Sequence, residues 1–351
     1  MPELPEVETV RRGLNQLTLK RKITGGDVLL HRTIAYPFSA EDFLNGLKQR
    51  EIISWHRRGK YLIAELSSVL GDKEIRGQGD EVENNSFPST PSLPLRVAPL
   101  LSTEGTSARE WLTIPPSPPS GCATSLNGGD LRTRVAYHPP LCPSSLGVHL
   151  RMTGQLLWLA QDEPLHKHTR VRLFFGEEWE LRFVDQRTFG QMWWVPPQVE
   201  TQSIITGLAK LAADPFSAEF TVEYLADKLK NRRRAIKTAL LDQSVVAGLG
   251  NIYADEALFL SGIQPQNLCL NLRIEQIESL HSSIIKVLKT SIEAGGTTFS
   301  NFLNVKGVNG NYAHVAWVYN RTGEPCRNCS HPIERIKLAG RSSHFCPQCQ
   351  Q

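Results

Sequence analysis

The spacing of hydrophobic residues changes character along the chain, and those changes divide it. Two short runs, Lys60-Tyr-Leu-Ile-Ala-Glu-Leu and Gly147-Val-His-Leu-Arg-Met, are dense in apolar and β-branched residues and read as strands. Residues 169–195 continue in that manner, alternating apolar with polar positions around turns such as Gly176-Glu-Glu. From about Ala218 the period lengthens to that of a helix. Residues 220–229 carry apolar side chains at helical spacing, residues 232–241 continue the helix, and residues 274–294 form a long amphipathic stretch. The last segment, 321–351, is short, punctuated by Gly and Pro, and bears cysteines. The order predicts a β-rich part, a helical part and a small metal module.

Between the two strand-like runs the composition shifts. Residues 66–146 hold 11 of the 22 prolines and 12 serines, including Ile114-Pro-Pro-Ser-Pro-Pro. Such a segment buries too little apolar surface to offset its ordering entropy, so it is expected to be a mostly disordered insertion. The flanking strands should pair with each other, which makes the insertion an overgrown hairpin loop. Closing a long loop costs only about (3/2)RT ln n, so the fold tolerates it.

With 351 residues, 40% of them hydrophobic, the chain has the composition of a globular protein of two or three domains. No apolar run approaches the roughly 18 residues of a membrane helix. The opening Met1-Pro-Glu-Leu-Pro-Glu-Val-Glu lacks the basic-then-apolar layout of a secretory signal, so a cytoplasmic location is expected. The net charge of +4 is uneven: residues 1–65 carry +3, 66–146 carry −2, 147–229 carry −3 and 230–351 carry +6. A basic C-terminal third suits phosphate binding, although on charge alone a solvated charged surface is the stronger explanation.

Four of the seven cysteines fall in Cys326-x2-Cys329-x16-Cys346-x2-Cys349. Each Cys-x2-Cys pair can present two thiolates to one tetrahedral zinc. A segment of this length hardly supports a core, so the metal would supply much of its folding free energy. Two disulfides are the competing arrangement, which a cytoplasmic location disfavours. Four thiolates leave no open position for water, so the expected zinc is single and structural. Arg335, Lys337 and Arg341 lie between the pairs, where a β-hairpin would aim them at phosphates, whereas Cys122, Cys142 and Cys269 lack metal spacing.

In the helical part, the segment from Leu240 to Pro265 reads as helix, tight turn, helix. Gly248 and Gly250 permit close backbone approach, Asn251 stands where an N-cap belongs, and the second helix runs to Gly262. A helix N-terminus with free N–H groups is an anion site; an ordinary helical hairpin fits the same pattern.

Pro2-Glu-Leu-Pro-Glu-Val-Glu-Thr-Val-Arg-Arg-Gly-Leu closely resembles the opening of the formamidopyrimidine-DNA glycosylase family. The glycine turn resembles that family's helix–two-turn–helix motif, and the four-cysteine module its zinc finger. With Arg58-Gly-Lys-Tyr-Leu, His149-Leu-Arg-Met-Thr-Gly and Asp185-Gln-Arg-Thr-Phe-Gly, the resemblance covers nearly everything except residues 66–146. It implies a multidomain α+β fold: an N-terminal β-sandwich with an initial helix over residues 1–215, a helix–two-turn–helix DNA-binding domain over 216–310, and a zinc β-hairpin over 311–351. It also implies a monomeric, nucleoid-associated bifunctional glycosylase and abasic-site lyase of base excision repair, which removes 8-oxoguanine and formamidopyrimidines from double-stranded DNA.

The chemistry makes sense of the N-terminus. A small second residue lets Met1 be removed, and the α-amine of Pro2 should titrate near neutrality, with a reference of roughly 7.7–8.0. Its attack on the sugar C1′ expels the base and leaves an iminium, which acidifies the C2′ proton so that the 3′ phosphate can leave. By resemblance, Glu3 is the general acid/base, Lys60 a strand-borne proton donor in β-elimination, and Arg341 the finger arginine for phosphate binding and δ-elimination. Glu6 occupies the position that reaches the flipped base, and equally suits a solvated charge on the first helix. A base drawn out of the stack leaves a gap, which Met152, Arg187 and Phe189 are implied to fill, Arg187 bonding the orphaned cytosine. His168, Arg233 and Asn251 are implied DNA contacts, with Lys237 a further one.

Two departures bear on specificity. Gln186-Arg-Thr-Phe replaces the common Pro-Arg-Arg-Phe, which leaves the key arginine and phenylalanine in place. The segment through Val305-Lys-Gly-Val-Asn-Gly-Asn-Tyr differs in detail from the family's loop over 8-oxoguanine and leaves base preference open. Rival readings are an endonuclease VIII-like enzyme for oxidised pyrimidines, a non-catalytic DNA-binding relative, and a zinc-ribbon RNA-binding protein. The Leu4-Pro5-Glu6 opening and the Met/Arg/Phe triad favour the purine enzyme, and the intact Pro2, Glu3, Lys60 and Arg341 argue for turnover.

Overall fold

The structure is a computed structural model that describes residues 1–69, 143–297 and 303–351. Helix α1 (Leu4–Leu17) places Pro5 in its first turn, where the missing N–H costs nothing, and buries Leu4, Val7, Val10 and Leu14 on one face. Then follow β1 (Gly25–Val28), β2 (Ile34–Tyr36), α2 (Ala40–Leu47), β3 (Ile52–Arg58) and β4 (Tyr61–Leu66). After the undescribed stretch come β5 (Ser145–His149), β6 (Gly154–Ala160), β7 (Thr169–Phe175), β8 (Trp179–Asp185) and β9 (Gln191–Val195).

These strands form two sheets, ordered β2-β9-β5-β4-β3 and β1-β7-β8-β6, antiparallel except for the β2/β9 pair. Alternate residues of each face inward: Trp55, Leu62, Val148 and Met192 from one sheet pack with Leu156, Val171, Leu181 and Phe183 from the other, and with Val7, Val10 and Leu14 of α1. Each such fully buried side chain contributes about 1.5–3 kcal/mol.

The expected pairing of the strands flanking the insertion is present, running from Tyr61↔His149 to Glu65↔Ser145. Strand β5 nevertheless starts inside the segment read as insertion, because Leu146 and Val148 both point into buried surroundings and are needed there. The disorder expected of the rest, and Cys122 and Cys142, lie outside the described residues.

The second half contains α3 (Thr201–Ile204), α4 (Val222–Leu229), α5 (Ile236–Leu240), α6 (Asn251–Leu260) and α7 (Ile274–Glu293), the long amphipathic helix expected from its periodicity. Thr221 caps α4, its hydroxyl accepting the Tyr224 N–H at 3.1 Å. The continuous helix expected over residues 232–241 is instead only five residues long. Asn231 adopts φ +62°, and the backbone that follows is engaged by a neighbouring segment: Ile236 N–H donates to Asn267 O at 2.7 Å and Cys269 N–H to Arg234 O at 3.0 Å. Tertiary pairing overrides the helical spacing there. Cys269 is a buried member of the helical core, beside Leu225, Leu258 and Leu280.

Helix α1 belongs to both cores, since Leu4 packs in the helical one while Val7, Val10 and Leu14 pack in the sandwich. The chain terminus is thereby fixed at the joint.

The C-terminal module is a hairpin of β10 (Glu334–Leu338) and β11 (Arg341–Phe345), turned by Ala339 and Gly340, both at positive φ. Its apolar cluster is small: Phe259, Val318, Cys326, Ile333 and Cys346. Glu256 on α6 holds the approach to the module, its buried carboxylate accepting N–H bonds from Trp317, Val318 and Tyr319 at 2.8–3.0 Å. Among the described residues no helix is long and apolar enough to cross a membrane.

Candidate active site and zinc centre

Glu3 immediately precedes α1 and is 2% exposed. Its Oε1 accepts the backbone N–H of Ile252 in the first turn of α6 at 3.1 Å, and its Oε2 is buried without a partner. The anion that occupies this helix N-terminus is thus an internal carboxylate. The glycines of the turn make room for it. A Cβ on Gly250 would lie 2.2 Å from Glu3 Cδ, and one on Gly248, which has φ +87°, would lie 2.7 Å from Leu4 Cδ1. Leu4 N–H also donates to Gly248 O at 3.0 Å. The cap of α6 is Gly250, so Asn251, expected as N-cap, is the first helical residue; glycine is required at the cap because Glu3 fills the space a side chain would take.

Burial pushes the Glu3 carboxyl up to about 7, with Glu6 adding to the rise and Lys60, the Ile252 N–H and the chain terminus opposing it. Lys60 is 7% exposed, and burial lowers its ammonium, with Arg341 adding to the fall and Glu3 and Glu6 resisting it. The Met1 amine, which ends the chain here, is lowered first by burial, with Glu3 and Glu6 opposing and Lys60 and Arg187 assisting. These groups share one low-dielectric site.

Lys60 was expected on a strand; the structure puts it in the two-residue turn Gly59-Lys60 between β3 and β4, where Gly59 has φ +57°. The turn docks against Leu211 and the backbone of Gly248, which is why the lysine is buried at a hairpin tip. A cavity of about 310 Å³ opens beside it, lined in part by His149, Arg151, Lys210 and Gln243. Burial, with the charges of Arg151 and Lys60, holds His149 down at about 3 and therefore neutral.

Glu6 is buried, which rules out the solvated charge. Its Oε2 accepts Glu3 N–H at 2.8 Å, and its Oε1 accepts Tyr253 OH and, at 2.9 Å, Thr297 N–H. It ties α1 to α6 and to the start of the loop whose next residues, 298–302, lie outside the described ones. That loop returns through Val305, which packs against Gly13 and accepts the Trp158 N–H at 2.9 Å.

Arg187 and Phe189 project together from the loop after β8, the guanidinium 5.0 Å from the ring centroid, and Phe189 is 53% exposed. Asp185 shapes the loop: Oδ2 accepts Gly190 N–H at 2.7 Å, Oδ1 accepts Arg187 N–H at 3.2 Å, and Thr153 bonds both Asp185 and Arg187 N–H. Met152, half-buried, stands in the same turn as Thr153. His168 is half-exposed and within 3.2 Å of Arg170, while Arg233 and Arg341 are exposed.

Lys237 departs from expectation. It is 1% exposed, its Nζ pairing with Asp255 at 2.7 Å and donating to Ser342 O at 2.6 Å. Asn251 Nδ2 donates to the same carbonyl at 3.1 Å, and Asp255 also accepts His344 N–H at 3.0 Å. In this arrangement Lys237 faces inward and anchors the strand that begins with Arg341; it is not placed to meet a phosphate.

The four module cysteines bring their Sγ atoms within 4.8 Å of one another, with Cys329–Cys346 at 3.4 Å and Cys326–Cys349 at 3.9 Å. Four thiolates at about 2.3 Å from one zinc lie about 3.8 Å apart, so the cluster fits one structural zinc. Asn328 N–H points at Cys326 Sγ at 3.4 Å, the kind of donor that stabilises a bound thiolate.

Sequence reasoning missed Tyr253, Asp255 and Arg57. The first two sit in the quoted glycine-turn segment, and a signal was present: α6 carries Tyr, Asp and Glu on consecutive buried faces with no polar side turned to water. Arg57 gave none, since its partners Glu8 and Asp214 are remote in sequence.

Comparison with known proteins agrees with this geometry. Residues 1–80 and 131–192 match the formamidopyrimidine-DNA glycosylase N-terminal domain, residues 211–302 the formamidopyrimidine-DNA glycosylase H2TH domain, and residues 323–351 the zinc finger found in FPG and IleRS. The chain is 63% identical over 350 residues to a formamidopyrimidine-DNA glycosylase of Nostoc sp., covering 100% of both chains. A Nostoc punctiforme relative of the same name is 62% identical over 350 residues, covering 100% of this chain and 96% of the relative. These alignments run through the insertion, so it does have counterparts among relatives. Similar solved structures include Lactococcus lactis Fpg bound to abasic-site DNA, at 30% identity and TM-score 0.72 over 99% of each chain. The wild-type Lactococcus lactis enzyme bound to DNA containing an oxidised pyrimidine is similar at 30% identity and TM-score 0.71 over 100% of each chain. By sequence and fold together, the chain belongs to the formamidopyrimidine-DNA glycosylase family of base-excision-repair DNA glycosylases.

Proposed function

We propose that this protein excises oxidised purines from duplex DNA with the amine of Pro2 and then cuts the abasic strand by β,δ-elimination. The observation that carries the reading is the Glu3 carboxyl: buried at the chain terminus, held through one oxygen by Ile252 N–H, free at the other, and near 7. Such a group can donate a proton at neutral pH and accept one in the next step.

With Met1 removed, the secondary amine of Pro2 attacks C1′, the C1′–N bond to the base breaks, and the base leaves with a proton. The amine gives up its proton and its lone pair forms an iminium as the C1′–O4′ bond breaks and O4′ is protonated; loss of the C2′ proton then expels the 3′ phosphate, and a second elimination expels the 5′ phosphate. Glu3 shuttles protons to the opening sugar. Lys60, beside it, serves the β-elimination. Arg341 binds phosphate and supports the δ-elimination. Arg187 reads the orphaned cytosine while Phe189 and Met152 occupy the vacated stack. His168, Arg233 and Asn251 complete the DNA contacts, and Glu6 reaches the flipped base. The domain limits at 215 and 310, action as a monomer and a place at the nucleoid belong to the same reading.

The Lactococcus lactis complexes contain Fapy-dG DNA as well as oxidised-pyrimidine DNA, so the lesion class needs direct assay. Single-turnover excision should be faster for 8-oxoguanine and formamidopyrimidine opposite cytosine than for dihydrouracil opposite guanine. The reverse order would move the protein to the pyrimidine-preferring branch.

A further inference from the structure

Near the end of β3 lies a buried charge that the reaction above does not use. The Arg57 side chain is 8% exposed. Burial opposes its charge, but Asp214 and then Glu8 more than restore it. Its Nε donates to Glu8 Oε2 at 3.1 Å, Nη1 to Asp214 Oδ2 at 2.6 Å, and Nη2 to Asp214 Oδ1 at 3.2 Å. Nη1 also donates to the carbonyl of Gly59 at 3.3 Å, the peptide that leads into Lys60.

Those bonds join three parts of the site. Glu8 lies on α1, five residues beyond Glu3, and stays ionised: burial would raise its carboxyl, but Arg11, Arg57 and Arg12 pull it down to about 2. Asp214 lies where the chain passes from the sandwich to the helices and is itself fixed, Oδ1 accepting Phe216 N–H at 3.2 Å. Gly59, at φ +57°, is wedged so that a Cβ there would lie 3.2 Å from Leu211 Cδ1 and 3.5 Å from Gly248 N. Well-packed apolar residues could hold two cores together at least as well as a buried ion-pair strut. What they could not supply is a donor to the Gly59 carbonyl in register with a fixed point on the helix that carries Glu3.

We propose that Arg57 is a positioning residue: braced on Glu8 and Asp214, it sets the Gly59-Lys60 turn and so places the Lys60 ammonium relative to Glu3 and the Pro2 amine. The inference rests on the reading of Lys60 as a participant in the reaction, and the test separates the two. Reacting groups must be held within a fraction of an ångström, and about 1 Å of misplacement costs roughly 100-fold in rate.

The test uses full-length, zinc-loaded Arg57→Lys, which keeps a cation but loses the fork, and Asp214→Asn, which removes one brace and leaves the guanidinium in place. Single-turnover strand cleavage on an 8-oxoguanine:cytosine duplex is measured from pH 6 to 10, with Kd for a duplex bearing a non-cleavable abasic analogue. The expected result is a rate loss of about tenfold or more in Arg57→Lys and a smaller loss in Asp214→Asn, with Kd within about twofold of the parent. The alkaline limb, set by Lys60 among Glu3, Glu6, Arg341 and His149, should move to higher pH as the turn loosens and Lys60 regains water. Loss of fold alone would lower the reaction amplitude and leave that limb in place, and such a result overturns the proposal, as would parental rates in both variants. Lys60→Met is run alongside. If it reacts at the parental rate, the reading of Lys60 falls; if it is impaired while Arg57→Lys and Asp214→Asn are not, only the positioning role falls.

Discussion

Gly250 gives the most direct test of how the site is assembled. Its φ of −139° and ψ of −162° are open to any residue, so backbone freedom does not explain it. The requirement is space: an alanine Cβ would lie 2.2 Å from Glu3 Cδ, 2.4 Å from Oε1 and 2.6 Å from Cγ. Ordinary contact begins at 3.4 Å, so Gly250→Ala demands a relative shift of about 1.2 Å between Glu3 and the first turn of α6. The shift breaks the charged bond from Ile252 N–H, a loss of about 1.5–3 kcal/mol. It also moves the general acid/base by about 1 Å, worth roughly 100-fold in rate, or about 2.7 kcal/mol of activation free energy. The assay is single-turnover release of 8-oxoguanine, with DNA affinity, zinc content and thermal unfolding measured on the same preparation. Gly176→Ala is the control: its φ of +72° is strained for alanine but nothing lies within 4 Å, so it should lose about 1 kcal/mol of stability and no rate. Gly250→Ala that folds, binds zinc and releases base at the parental rate would refute the account of the turn.

Three further outcomes are expected. Lys237→Met leaves Asp255 buried and uncompensated and should cost about 3–5 kcal/mol in urea unfolding, given the 2.7 Å pair at 1% and 0% exposure; a loss under about 1 kcal/mol would contradict the inward placement. Glu3 has a folded value near 7, above its ordinary 4.5, so the folded state holds the proton more tightly and the stability this gives at low pH is lost as pH rises from 4.5 through 7. Glu3→Gln should flatten that slope and be more stable than the parent at pH 8, and an unchanged slope in denaturant titrations would contradict the burial argument. Removing zinc with a chelator should unfold the β10/β11 hairpin, whose apolar cluster is too small to persist alone. The check is hydrogen exchange at residues 334–345, and retained protection after chelation would count against the metal's structural role.

How much was legible in the sequence follows from the range of the interactions involved. Cys326, Cys329, Cys346 and Cys349 were readable because a metal knuckle is a local pattern, and the pairing of β4 with β5 because apolar strands flank the insertion. Helix α7 was readable from its period. The glycines of the turn were visible, but their reason was not, since the side chain they accommodate, Glu3, is 247 residues before Gly250 in the sequence. The same distance hid the inward turn of Lys237, whose partners are Asp255 and the Ser342 carbonyl. Residues 232–241 carry a helical pattern, yet their backbone donors and acceptors are taken by residues 267–270, which no periodicity reveals. Glu6 and Lys60 look like surface charges in any window of sequence; both are buried because the start of α1 and the β3/β4 turn pack against the helical part, Leu4 in its core and Gly59 against Leu211 and Gly248.

The central claim is that the chain's own terminal amine is the nucleophile. Its most direct test is borohydride reduction during reaction of the Met1-processed protein with an 8-oxoguanine:cytosine duplex, followed by mass mapping of the adduct. The account predicts one covalent DNA adduct on the nitrogen of Pro2, abolished when the terminus is blocked and strongly reduced in Pro2→Gly. An adduct mapped to Lys60 or another side chain, or base release with no trappable adduct, would contradict it.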